Sequence, residues 1–194
     1  NNKKVGNANV VIKGIGGYKG SKTITFKITG KPIGNGQVYD DFELVMSDAE
    51  NYVYSGKAIS PIVDLYEGST LLKKNKDYTI KYQNNINAGT ATATISGMGV
   101  YKGDKTVEFK ILPKAITEAN TTVVVSDMDY TGSQVKPIPE VACGTEPLIL
   151  DEDYVVTYGT NINVGKGFII IEGIGNYKGT IKKWFNINEV TDKE

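Results

Sequence analysis

The chain of 194 residues balances 22 Lys plus Arg against 22 Asp plus Glu, so its formal net charge is zero. Nucleic-acid binding through phosphate neutralisation calls for a basic excess or stripe, and none is present. It has no His and a single Cys, Cys143, which excludes Ser-His-Asp and Cys-His catalysis, His-ligated zinc, an intrachain disulfide and a thiolate zinc cluster.

In chain order, the first distinct pattern is Gly14-Ile15-Gly16-Gly17-Tyr18-Lys19-Gly20, followed by Phe26 and Ile28. Residues 29–43, with Pro32, read as a linker. Short strands are expected near 42–46, 52–54, 61–66 and 71–72. Tyr78–Tyr82, Ala91–Ile95 and Val107–Ile111 then alternate apolar and polar residues, the pattern of half-buried strands. Residues 112–121, with Pro113, read as a second linker, after which the same series begins again. Gly, Asn and Asp clusters separate the strands, and no segment carries a helical apolar stripe. No apolar run approaches the roughly 20 residues of a spanning helix, so no membrane insertion is expected.

The second series is a copy of the first. A shift of 76 residues lays 54–111 on 130–187 without a gap, with 21 of 58 positions identical, too many in one frame for chance. The identities include Tyr54/Tyr130, Pro61/Pro137, Asp77/Asp153, Tyr78/Tyr154, Gly89/Gly165, Phe109/Phe185 and Ile111/Ile187. The Gly-x-Gly-x-Tyr-x-Gly segment occurs three times, at Gly14, Gly97 and Gly173. The expected fold is therefore all-β: tandem small β-sandwich modules with Greek-key-like connections. Residues 1–30 are expected to be the last third of a truncated repeat, 31–112 and 113–188 two full repeats, and 189–194 a tail. Two or three strands bury no sandwich face alone. Residues 1–30 are thus expected to be disordered, to lie against a neighbouring module, or to complete a sheet elsewhere.

The pattern Tyr-x-Gly, Pro-Ile, Asp-Tyr-x-x-x-Tyr, Asn-x-Asn-x-Gly, Gly-x-Gly-x-Tyr-x-Gly, Phe-x-Ile resembles bacterial immunoglobulin-like repeats of Gram-positive surface and secreted multidomain proteins. The resemblance implies an immunoglobulin-like fold and an extracellular, secreted or cell-surface setting. It implies a structural or adhesive role with neighbouring modules of the same protein as partners, and it carries over no catalytic residue and no cofactor.

Several groups invite a sharper reading. The Gly-x-Gly segments lie between strands, where phosphate binding would need a following helix, so they read as hairpin connections with Tyr18, Tyr101 and Tyr177 at the edge of the core. Asp77 and Asp153, with Asn75/Asp151 and Asp64/Glu140 nearby, have the composition of a calcium loop, but Asp ahead of a strand more often bonds local backbone N–H groups in a turn. Asp151 and Asp153 as an acid–base pair would need environments that split their pKa values. Cys143 aligns with Glu67 and reads as an incidental turn residue.

One difference between the copies stands out. Phe109/Phe185 and Ile111/Ile187 set the inward parity of the last strand, so Glu108 and its counterpart Trp184 point outward. On the preceding strand, outward Thr92 and Thr94 become Phe168 and Ile170. Trp184, Phe168 and Ile170 are therefore the candidate ligand-binding residues, a stacking platform for a sugar ring or a docking face for another module, with a glycan or a host or cell-wall surface as the further partners considered. A bulge that shifts parity, or a cover from a loop or from 188–194, would remove the patch.

Overall fold

The computed structural model describes residues 2–34, 41–47 and 52–190, and every regular element among them is a strand. The first two, β1 (Gly6–Lys13) and β2 (Ser21–Ile28), form an antiparallel hairpin in which Gly6 faces Ile28 and Ala8 faces Phe26. Segment 1–30 is therefore ordered as a two-stranded ribbon over its described residues. Ala8 is buried, while Val10, Val11, Ile12, Ile24 and Phe26 are exposed.

The first copy supplies β3 (Lys31–Pro32), β4 (Phe42–Met46), β5 (Tyr52–Val53), β6 (Val63–Glu67), β7 (Thr70–Leu71), β8 (Tyr78–Gln83), β9 (Gly89–Gly97), β10 (Tyr101–Lys102) and β11 (Asp104–Leu112). The second supplies β12 (Lys114–Ala115), β13 (Thr121–Val124), β14 (Met128–Asp129), β15 (Glu140–Cys143), β16 (Glu146–Pro147), β17 (Tyr154–Tyr158), β18 (Gly165–Gly173), β19 (Tyr177–Lys178) and β20 (Thr180–Asn188). The pairing is the same strand for strand. Orders β4-β6-β7, β5-β11-β9-β8 and β3-β10 in the first copy become β13-β15-β16, β14-β20-β18-β17 and β12-β19 in the second. Both copies thus set a three-stranded sheet beside a four-stranded one, a sandwich-like arrangement.

The register also repeats. Tyr78 faces Gly97, and Tyr154 faces Gly173. Ile111 pairs in parallel with Tyr52, and Ile187 with Met128. The Asp-Tyr identities explain part of this. Asp77 accepts the Lys73 N–H at 2.8 Å, and Asp153 accepts that of Ile149 at 2.9 Å, with Asn75 and Asp151 in the left-handed region at φ 64° and 67°. These are the turns that the sequence pattern favours over calcium loops. The Tyr78 hydroxyl donates to the Val63 carbonyl and that of Tyr154 to the Pro139 carbonyl, so each tyrosine fills the core and still satisfies its polar end.

The Gly-x-Gly-x-Tyr-x-Gly segments are three copies of one connection. Gly14, Gly97 and Gly173 each donate their N–H to the carbonyl of Gly20, Gly103 and Gly179 at 2.9 Å. Within them Gly16, Gly99 and Gly175 have φ of 65°, 64° and 61°, a conformation that a side chain would disfavour.

By its internal contacts the chain divides into two compact units. One comprises Asn1–Glu50, Ile59–Asn85 and Thr90–Phe109, and the other Asn51–Ala58, Ile86–Gly89 and Lys110–Glu194. The first is centred on Ile33, Phe42, Leu65, Tyr78 and Ile95. The second is centred on Ile116, Cys143, Tyr154, Ile169, Ile171 and Phe185, with Tyr54 packed against them.

Three sequence expectations change here. Segments 29–43 and 112–121 are not simple linkers: β3 and β12 lie in them, and Ile33 and Ile116, which donate their N–H groups to the Lys102 and Lys178 carbonyls, are core residues. Residues 35–40 of the first segment, and 191–194 of the tail, lie outside the described residues. Cys143 is no turn residue; it ends β15 and is buried in the second core. Of the three loop tyrosines, Tyr177 is buried and Tyr101 half-buried, but Tyr18 is 83% exposed and caps nothing.

Candidate functional site

The site lies on the outward face of β18 and β20. Both strands carry buried residues on one parity: Gly167, Ile169 and Ile171 on β18, and Ile181, Phe185 and Ile187 on β20. The intervening residues point away from the core. Phe168 faces Trp184 across the pair, and Ile170 faces Lys182. No bulge shifts the parity, so Trp184, Phe168 and Ile170 share one face as the sequence pattern required. Trp184 is 51% exposed, and Phe168 and Ile170 are half-buried.

The two aromatic rings are tilted by 59° with centroids 5.3 Å apart. Phe168 is held from beneath. Its amide donates to Asn161 Oδ1 at 2.9 Å, and Asn161 Nδ2 donates back to the Phe168 carbonyl at 3.0 Å. Asn161 is buried and reaches this position with φ 42°, which Asn tolerates better than most residues. The ring then lies over Gly159, where an added Cβ would sit 2.6 Å from the Phe168 ring. The absence of a side chain at 159 is what lets the ring lie flat.

Lys182 completes the face. Its Nζ sits 3.9 Å from the Phe168 centroid and 4.3 Å from that of Trp184, a cation over two ring faces. Sequence reasoning did not single it out. The signal was available, because Lys182 precedes Trp184 by two residues and so shares its face. Lys182 also lines a cleft of about 410 Å³ between β13 and β20, together with Glu118, Thr121, Val123, Ile181, Lys183 and Trp184. Farther along β20, Asp127 receives the Asn186 N–H at 2.6 Å and the Asn186 side-chain amide at 2.9 Å. These two bonds, the side-chain one first, hold the Asp127 carboxyl below the usual carboxylate range.

The other copies present polar groups at the same places. Thr94 and Thr106, the counterparts of Ile170 and Lys182, share a 3.3 Å hydroxyl contact. On the N-terminal hairpin Thr25 donates to Asn9 at 2.8 Å, where the second copy has Trp184 facing Phe168. The aromatic face is a departure from the repeat.

Asp153 accepts the Ile149 N–H in its turn, and Asp151 occupies the left-handed position of that turn. Among the described residues, no group of three or more His, Cys, Asp or Glu side chains converges to hold a metal ion. No family model, curated protein or solved structure matches the chain.

Proposed function

We propose that the chain is a structural and adhesive segment of a bacterial surface or secreted multidomain protein, built of immunoglobulin-like β-sandwich modules that space and display other regions. The supporting observation is the recurrence, strand for strand, of one set of strand pairs and of the same Asp turn bond in two successive copies. Repetition of backbone architecture with free variation of outward side chains is what a spacer requires. The extracellular setting follows from the resemblance of the repeated motifs.

A second reading, carbohydrate binding, is favoured by one observation: the Phe168–Trp184 face, with Lys182 over both rings, replaces polar groups in one copy only. Aromatic faces of this kind stack on sugar rings through their apolar C–H surface. Trp184 is the sole tryptophan, so its emission reports on this face alone. Titration with glycans to millimolar concentration is expected to leave that emission unchanged for a spacer. A saturable shift, lost in the amide spectrum of Trp184→Ala, would replace the spacer reading with the carbohydrate one.

A further inference from the structure

The two copies differ in what covers one end of each. Tyr54 and Tyr130 occupy equivalent backbone positions: the Tyr54 N–H donates to the Leu112 carbonyl at 2.9 Å, and the Tyr130 N–H to the Asn188 carbonyl at 2.8 Å. Gly56 and Gly132, two residues on, share φ values of 73° and 76°. The side chains then diverge. Tyr54 lies edge-on against Tyr177, whereas Tyr130 is 41% exposed.

A second pair shows the same contrast. Ala88 is half-buried and donates its N–H to Asn176 Oδ1 at 2.8 Å, while Asn176 Nδ2 reaches Asn87 Oδ1 at 3.3 Å. Its counterpart is Val164, which is 51% exposed. Ile86 and Ile162 are exposed alike, so they take no part in the difference. What seats on Tyr54, Asn87 and Ala88 is the connection Gly173–Gly179, the Gly-x-Gly-x-Tyr-x-Gly loop of the following copy. All these contacts fall within the second compact unit.

We propose that Tyr130, Asn163 and Val164 form a docking surface for the Gly-x-Gly-x-Tyr-x-Gly loop of a further copy of this repeat. The occupant is specified by the internal precedent. The recognised chemistry is an aromatic ring for Tyr130 to meet edge-on and a side-chain carbonyl to accept the Val164 N–H. Replacement of Ala88 by Val164 adds apolar area at that contact. The proposal rests on the spacer reading and names the partner that such a spacer takes.

The test uses a chain lengthened by a second 113–188 segment placed directly after Asn188, where Pro113 follows Leu112 in the natural junction. Amide exchange at Val164 is expected to slow by about tenfold or more relative to the 194-residue chain, with a shift of the Tyr130 ring resonances. Tyr130→Ala should leave the 194-residue chain folded and return Val164 of the lengthened chain toward its original exchange rate. An appended copy with protected strands of its own, beside an unchanged Val164 and Tyr130, overturns the proposal. If the appended copy does not fold, Gly17→Asn supplies the Tyr18 loop with the side-chain carbonyl that Asn176 provides, an added Cβ at Gly17 meeting nothing within 4 Å, and that 194-residue variant is followed into the millimolar range, where the exposed Tyr18 loop of a second molecule is the occupant. Joint shifts at Tyr130 and Tyr18 then support the surface, and their absence overturns it. A glycan response at Trp184 would remove the spacer reading without altering these amides, so the two failures are distinct.

Discussion

Tyr54 and Tyr177 meet edge to face, with centroids 5.6 Å apart and planes at 78°. Burial, then the neighbouring Tyr54 hydroxyl, pushes the Tyr177 phenol up to about 12. Tyr54→Ala removes this pair and uncovers Tyr177. It is expected to destabilise the second compact unit by about 1–3 kcal/mol and to bring Tyr177 titration back toward the ordinary tyrosine range. Tyr130→Ala, at the equivalent exposed position, is expected to change stability by less than about 0.5 kcal/mol. Urea unfolding, with amide exchange of β20 as the local readout, separates the two.

The platform contains its own internal control. Gly159→Ala puts a methyl group into the Phe168 ring, and the expected cost is about 1–3 kcal/mol with loss of the ring's contact with Trp184. Phe168→Thr restores the residue type of the first copy, where Thr92 stands. In that background Gly159→Ala is expected to cost much less, giving a coupling energy of about 1 kcal/mol or more in a double-mutant cycle. Equal costs in both backgrounds would mean that Gly159 is needed for some other reason.

An acid-sensitive contact belongs to the first copy. Glu67 accepts Lys31 Nζ at 2.5 Å and the Tyr101 hydroxyl at 2.7 Å. The Lys31 bond first, then that of Tyr101, holds its carboxyl below the usual range. A depressed carboxyl contributes stability above its unfolded pKa and loses it as pH falls through the folded value. Glu67→Gln should therefore flatten the acid side of the stability profile, between about pH 5 and the folded pKa, while the pH 7 stability falls by about 1 kcal/mol or less because the pair is partly exposed. The second copy has Cys143 at this position, buried in the core, and carries no counterpart of that acid limb. Urea midpoints across pH 3–7 check both statements.

Much of this was legible before any coordinates. Period-two alternation placed β8 and β9 within two residues at each end and β11 within three, because long half-buried strands write their two faces into the sequence. The outward parity of Trp184, Phe168 and Ile170 followed from the same alternation. The two-residue parallel strands β3, β5, β12 and β14 were not legible as pairs, since so short an element has no period. Ile33 and Ile116 consequently looked like linker residues beside Pro32 and Pro113. Cys143 misled for a different reason. Alignment with Glu67 made its position look like a surface turn, yet Glu67 is itself half-buried, with its charge satisfied by Lys31 and Tyr101. The lysine over the aromatic rings was visible in spacing but needed the register Ile170↔Lys182 to gain meaning.

The central claim is that one β-pattern folds twice in the same register, and cross-strand nuclear Overhauser contacts test it most directly. The account predicts antiparallel contacts of Tyr78 with Gly97 and Tyr154 with Gly173, and parallel contacts of Tyr52 with Ile111 and Met128 with Ile187. Contacts in the second copy that were displaced by even one residue from those of the first would contradict it, because a single step turns every side chain to the opposite face.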